Sequence, residues 1–109
     1  MGAKEYLRQI KKIETMLENK AFEEKRLKEL ELPIGKVLEE KTNLQIERAK
    51  IIKTIEQLPE AEYDVLYKIY VQNETLYEVA ADRKISYSLV TTIHGRALKK
   101  IDDLITTVA

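Results

Sequence analysis

The chain has 109 residues, with 19 Lys and Arg against 19 Asp and Glu, no Cys, no Trp, three Gly and two Pro. That length makes one ordinary domain or two very small ones, and 35% charged against 6% aromatic residues leaves little material for a large globular core. Without Cys there are no disulfides and no thiolate metal sites; a lone His94 forms no zinc cluster or catalytic pair, and Gly2, Gly35 and Gly95 are too scattered for a phosphate-cradling loop. No apolar run approaches the ~18–20 residues of a membrane span, and the start MGAKEYLRQIKK lacks the apolar stretch of a signal peptide. The expectation is a cytoplasmic, helix-rich protein without cofactor or metal that works by binding rather than by catalysis.

From Ala3 to Pro33 nothing interrupts a helix, and good or tolerable helix formers dominate. Apolar or small residues recur at Ala3, Tyr6, Ile10, Ile13 and Leu17, the spacing of a coiled-coil seam. The seam weakens at Lys20 and Glu24 before Leu27. After Gly35 a second stripe runs through Val37, Leu44, Ile51, Ile55 and Leu58, interrupted by Lys41 and Arg48. A connection as short as Leu-Pro-Ile-Gly turns two helices back on each other. At ~1.5 Å per residue the first arm reaches roughly 40 Å. So narrow a hairpin buries its stripe poorly alone, which predicts pairing with a second copy; folding back on the remaining helices is the alternative.

Pro59 opens the next helix, with Glu60 and Glu62 at its positive end. Tyr63, Leu66, Ile69 and Tyr70 make one face of it. After the break at Gln72-Asn73-Glu74, Thr75 and Glu78 form a T-x-x-E capping box for a helix carrying Leu76, Val79 and Ala80. Asp82-Arg83-Lys84 makes a tight corner, and Ser86 caps a last helix with Val90, Ile93, Ala97, Ile101 and Leu104 at helical spacing. The tail Thr106-Thr107-Val108-Ala109 is expected to fray.

Two helices meeting at a four-residue corner have helix-turn-helix geometry, in which the second enters a DNA major groove. Ala80 is small at the crossing, Ile85 plugs the corner, and Lys84 stands where a glycine is common, so the turn is expected to carry strain. Charge is sorted along the chain. Glu60, Glu62, Asp64, Glu74, Glu78 and Asp82 face one base, Lys68, whereas Arg83 to Lys100 holds five bases and no acid. Such a basic segment on a candidate recognition helix suits phosphates. Arg96, Lys99 and Lys100, with Arg83 and Lys84 at the corner, are the phosphate candidates. Ser86, Tyr87, Ser88, Thr91 and Thr92 stand near the helix start, where hydroxyls and Thr methyls reach base edges; capping and simple exposure are their plain alternatives. His94 reads as packed or phosphate-facing rather than catalytic, since no nucleophile accompanies it. Gly95 inside a helix costs roughly 1 kcal/mol against Ala and suggests close approach of a helix or of DNA. Tyr63, Tyr67 and Tyr70 read as core and rim.

The stretch from Leu58 through HGRALKKIDDL resembles region 4 of sigma factors, and S-Y-S-L-V-T-T-I-H-G-R-A-L-K-K-I is similar to its recognition helix, above all at Val90, Arg96, Ala97 and Lys99. Together with an N-terminal hairpin beginning EYLRQIKKIE, the run Ile93-His94-Gly95-Arg96-Ala97-Leu98-Lys99-Lys100 resembles the phage RinA/ArpU-like late transcriptional regulators. That resemblance implies a small activator in a bacterial host cell that binds promoter DNA of late packaging and morphogenesis genes. Its recognition helix would be Ser86 to about Asp103. The tip ELPIGKVLEE is short for that family, and Asn73-Glu74-Thr75-Leu76 and Ala81-Asp82 depart from its usual residues.

The reading is an all-α chain: residues 1–58 an antiparallel helical hairpin (coiled coil) for oligomerisation, residues 59–109 a sigma-region-4-like helix-turn-helix domain for double-stranded promoter DNA. Host RNA polymerase is a further candidate partner. The rivals are a polymerase-gripping adaptor using the acids of Glu60–Asp82, and a DNA-binding phage packaging component.

Overall fold

Helix-forming composition from Ala3 onward gives α1, Ala3–Glu29, whose first three residues of core are Ala3, Leu7 and Ile10. The computed structural model describes residues 2–108 of the chain. A reversal at Leu30–Ile34 leads into α2, Gly35–Glu56, and the two run antiparallel as expected. Leu7, 0% exposed, belongs to the seam beside Ile10 and Ile13, while Tyr6 and Leu17 flank it. In α2 and just beyond it, the stripe Val37, Leu44, Ile51, Ile55 and Leu58 is buried throughout.

The polar residues that interrupt both stripes meet across the hairpin. Arg48 donates to Glu14 at 3.2 Å, Lys41 to Glu24 at 2.9 Å, and Lys20 pairs with Glu40. Each is a partly exposed pair that contributes no more than about 1 kcal/mol. Their value is register: they allow one alignment of the two arms toward the tip, where apolar contact thins out. Tyr6 and Thr54 add a cross-arm hydrogen bond of 2.9 Å nearer the base.

The remaining elements are α3, Glu60–Leu66, a π-helical turn over Tyr67–Val71, α4, Leu76–Arg83, and α5, Tyr87–Val108. Pro59 sits as the extended residue before α3, and Thr75 and Glu78 make both bonds of the capping box, at 3.1 and 3.2 Å. Fraying was expected from Thr106, yet α5 keeps its helical turn through Val108; Ala109 lies outside the described residues.

One core joins the arms to the C-terminal helices. Ala3, Leu7, Ile10 and Ile13 of α1 and Ile51 and Ile55 of α2 cluster with Leu66 of α3 and Ala97 and Ile101 of α5. The base of the hairpin therefore folds back on the rest of the chain, and only its distal part projects. A hydrogen bond ties the same join: the Ala3 N–H, one of the unsatisfied donors of the α1 start, donates to the Asp102 carboxylate at 2.7 Å. A carboxylate there also suits the positive end of the helix. A smaller cluster, Val65, Val79, Ala80, Val90 and Ile93, holds α3, α4 and α5 together.

Candidate nucleic-acid interface

The corner between α4 and α5 closes as the sequence predicts, with the expected strain at Lys84. Lys84 takes the left-handed conformation (φ 55°, ψ 44°), and the Ile85 N–H reaches the Ala80 carbonyl at 3.1 Å, closing the helix end. A non-glycine residue in that region costs about 1 kcal/mol, offset here by Ile85 packing into the cluster beneath the corner. Glu31 and Asn73 make the same left-handed bend at two other places, so no glycine of this chain is spent on positive φ. Ser86 caps α5: its Oγ accepts from the Leu89 N–H at 3.1 Å.

Burying Val90, Ile93, Ala97 and Ile101 fixes the opposite side of α5 as an open strip. Along it lie Ser88, Thr91, Thr92, Gly95, Arg96 and Lys99, all exposed. The hydroxyls of Thr91 and Thr92 donate to the carbonyls of Tyr87 and Ser88, at 3.0 and 3.1 Å. Their lone pairs and methyls are what remain to present outward. Arg96 and Lys99 have no carboxylate partner among the described residues. Tyr87 is a rim residue: its ring stacks on Tyr77 of α4, centroids 4.3 Å apart and 17° between planes.

A side chain at Gly95 would meet nothing within 4 Å. The close approach suggested by this glycine is therefore not made inside the chain. Gly95→Ala is expected to stabilise the fold by about 1 kcal/mol and raise the melting temperature by a few degrees, while weakening DNA binding if a duplex lies against the strip. Thermal melts and gel shifts of one variant thus read opposite signs.

The five bases of the segment do not act as one group. Arg83 turns back to α3, its Nη1 2.7 Å from Asp64 and 3.2 Å from Glu60, its Nη2 3.3 Å from Glu60. Lys100 lies 2.9 and 2.8 Å from the two oxygens of buried Glu62. Burial alone would raise the Asp64 carboxyl, but hydrogen bonds from Arg83 and Lys68 outweigh it and hold the group below the usual carboxylate range. Lys84, Arg96 and Lys99 stay outward. Part of the charge sorting in the sequence is thus internal neutralisation, acids of α3 matched to bases of α4 and α5.

Beside the strip is a grouping that motifs along the chain do not reveal. Lys4, Arg8 and Lys11 of α1 line a cleft of about 380 Å³ with Tyr70, Asn73, Glu74 and His94. Tyr70 Oη and His94 Nε2 are 3.0 Å apart, a contact reached from the π-helical turn; such turns recur at functional sites. Burial, then the Lys4 charge, keeps the His94 ring below the ordinary histidine range, so it is uncharged at neutral pH. Burial likewise pushes the Tyr70 phenol up, opposed by Arg8. The available signal was the i, i+4, i+7 spacing of Lys4, Arg8 and Lys11 in AKEYLRQIKK, which marks one helix face.

No curated protein and no solved structure matches the chain. Residues 54–102 match the family model described as Sigma-70, region 4, a span from the end of α2 through the first three-quarters of α5. The C-terminal half is accordingly a sigma-region-4-like helix-turn-helix, and that likeness points to a DNA-binding regulatory function.

Proposed function

We propose that the protein is a sequence-specific DNA-binding transcriptional regulator, of the kind that activates late phage or prophage genes, with α5 as its recognition helix. The observation that carries this reading is the open strip of α5, where hydroxyl-bearing residues precede two unpartnered bases. Ser88, Thr91 and Thr92 would face base edges. Arg96, Lys99 and Lys84 would hold phosphates, with Ser86 and Tyr87 fixing the helix start. Arg83 and Lys100, engaged within the chain, would serve mainly by setting the angle of α4 and α5.

Three phosphate contacts bind weakly at cellular salt, since log affinity falls by nearly one unit per contact for each log unit of salt. Pairing two copies through the hairpin would double them. Exposed Met16, Phe22, Leu38 and Ile46 on the arms support that role, and light scattering at several concentrations tests it. Of the six acids that a polymerase adaptor would use, Glu60, Glu62 and Asp64 are paired with Arg83, Lys100 and Lys68, while Glu74, Glu78 and Asp82 form no ion pair among the described residues.

The test is selection from a random duplex pool followed by salt-titrated gel shifts. An enriched sequence is expected. Arg96→Ala should lower affinity for every sequence about tenfold, roughly 1.4 kcal/mol, and flatten the salt slope by about one. Thr91→Ala or Thr92→Ala should instead relax the preference at one base position, by about 1–3 kcal/mol. No enrichment, with full affinity retained by Arg96→Ala, would overturn the reading.

A further inference from the structure

We infer that Lys4, Arg8 and Lys11 of α1 form a second phosphodiester-binding strip, so that the start of the hairpin arm grips the DNA backbone alongside the recognition helix. The inference rests on the DNA-binding reading and extends it to a helix outside residues 54–102, the span that matches sigma region 4.

Four observations carry it. The first is position. Lys4 and Arg8 also line the groove where α1 runs along Leu98 and Asp102 of α5, and all three bases share a cleft with His94, the neighbour of Gly95. The strip thus borders the open face of α5 instead of lying on the far side of the molecule. The second is spacing: positions 4, 8 and 11 fall on one helix face and span about 10 Å along the axis, against one phosphate per ~3.4 Å of duplex axis in each strand.

The third is the state of the charges. None of the three bases makes an ion pair among the described residues, a state shared with Lys25, Arg26 and Lys36 near the tip, whereas Lys20, Lys28, Lys41 and Arg48 on the same two arms are paired. Of the acids bordering the strip, Asp102 accepts the Ala3 N–H, and neither Glu5 nor Glu74 forms an ion pair with any of the three bases. Three like charges on one helix face repel, a cost that an anion removes. The fourth is the floor of the cleft. His94, held by Tyr70, and Asn73, at its left-handed bend, supply polar groups there, and Glu74 is the one carboxylate lining the cleft against three bases.

A phosphodiester strip makes a specific forecast. Lys4→Ala/Arg8→Ala/Lys11→Ala should lower affinity at least tenfold for every duplex, leave the selected sequence unchanged, and reduce the salt slope by two to three. Its melting temperature should not fall, because these side chains are exposed. The control is Lys25→Ala/Arg26→Ala/Lys36→Ala at the hairpin tip, which removes the same charge from exposed positions about one arm length away and should change the slope little.

Equal slopes for the triple variant and the unaltered protein would overturn this inference while leaving the DNA-binding reading intact. An equal loss in both triple variants would overturn it too, since a general charge effect would then explain the result. If the unaltered protein bound no duplex at all, the DNA-binding reading itself would fail.

Discussion

Ile101→Ala is expected to destabilise the protein by about 3 kcal/mol and to do so as one transition. Ile101 is fully buried and touches the core shared by α1, α2 and α5. Truncating it removes apolar contact from both halves and leaves a cavity between them. Urea unfolding followed by far-UV circular dichroism and by tyrosine fluorescence should give coincident curves with a lower midpoint and an unchanged slope. Two separated transitions, with only the later residues affected, would mean that the hairpin and the helix-turn-helix fold independently. The distal arm, where Phe22 is 70% exposed, contributes little to this core, so substitutions there should leave the midpoint nearly unmoved.

Arg83→Ala is expected to cost about 2 kcal/mol of folding free energy without directly weakening DNA binding. Its guanidinium is mostly covered and bridges Glu60 and Asp64 across α3 and α4. Removing one member of such a network strands a partly buried carboxylate, though the exposure of Glu60 lowers the figure from that of a fully buried pair. Arg83→Lys should restore only part, because an ammonium cannot fork to two carboxylates. Measured well below the melting temperature, the affinity of Arg83→Ala for its duplex should stay within about twofold, against the tenfold loss predicted for Arg96→Ala. Intact stability with a large loss of affinity would give Arg83 a phosphate contact instead.

The Arg83 and Lys100 pairs explain where a reading of charge along the chain loses resolution. A run of bases after a run of acids has two physical outcomes: the bases face outward to an external anion, or they fold back on the acids. Sequence spacing cannot separate these, because the choice depends on which turn of α3 lies opposite which turn of α5. Glu62, buried against α5, finds Lys100 only once Leu66 and Ala97 share a core. Arg96, one helical turn earlier, finds no acid and stays open.

Local signals did settle much. The capping box at Thr75, the cap at Ser86, the breakers at Pro33 and Pro59, and the 3–4 spacing of apolar residues depend on neighbours within a few positions, where propensity and hydrogen bonding act. They determined an all-helical chain, an antiparallel hairpin, and a two-helix corner with a strained Lys84. The polar breaks in both stripes were equally visible, although their pairing as Glu14–Arg48, Lys20–Glu40 and Glu24–Lys41 needed the register of the arms.

The tertiary structure decided what local signals do not encode. The π-helical turn after α3 carries Tyr70, whose hydroxyl meets His94 on a distant helix. The base of the hairpin packs into the C-terminal core, because the apolar faces of α1 and α5 complete each other. Packing also brought Lys4, Arg8 and Lys11 beside His94 of α5, some eighty positions later in the chain. Periodicity records which face of a helix is apolar, but only packing determines what that face, and the charged edge next to it, will meet.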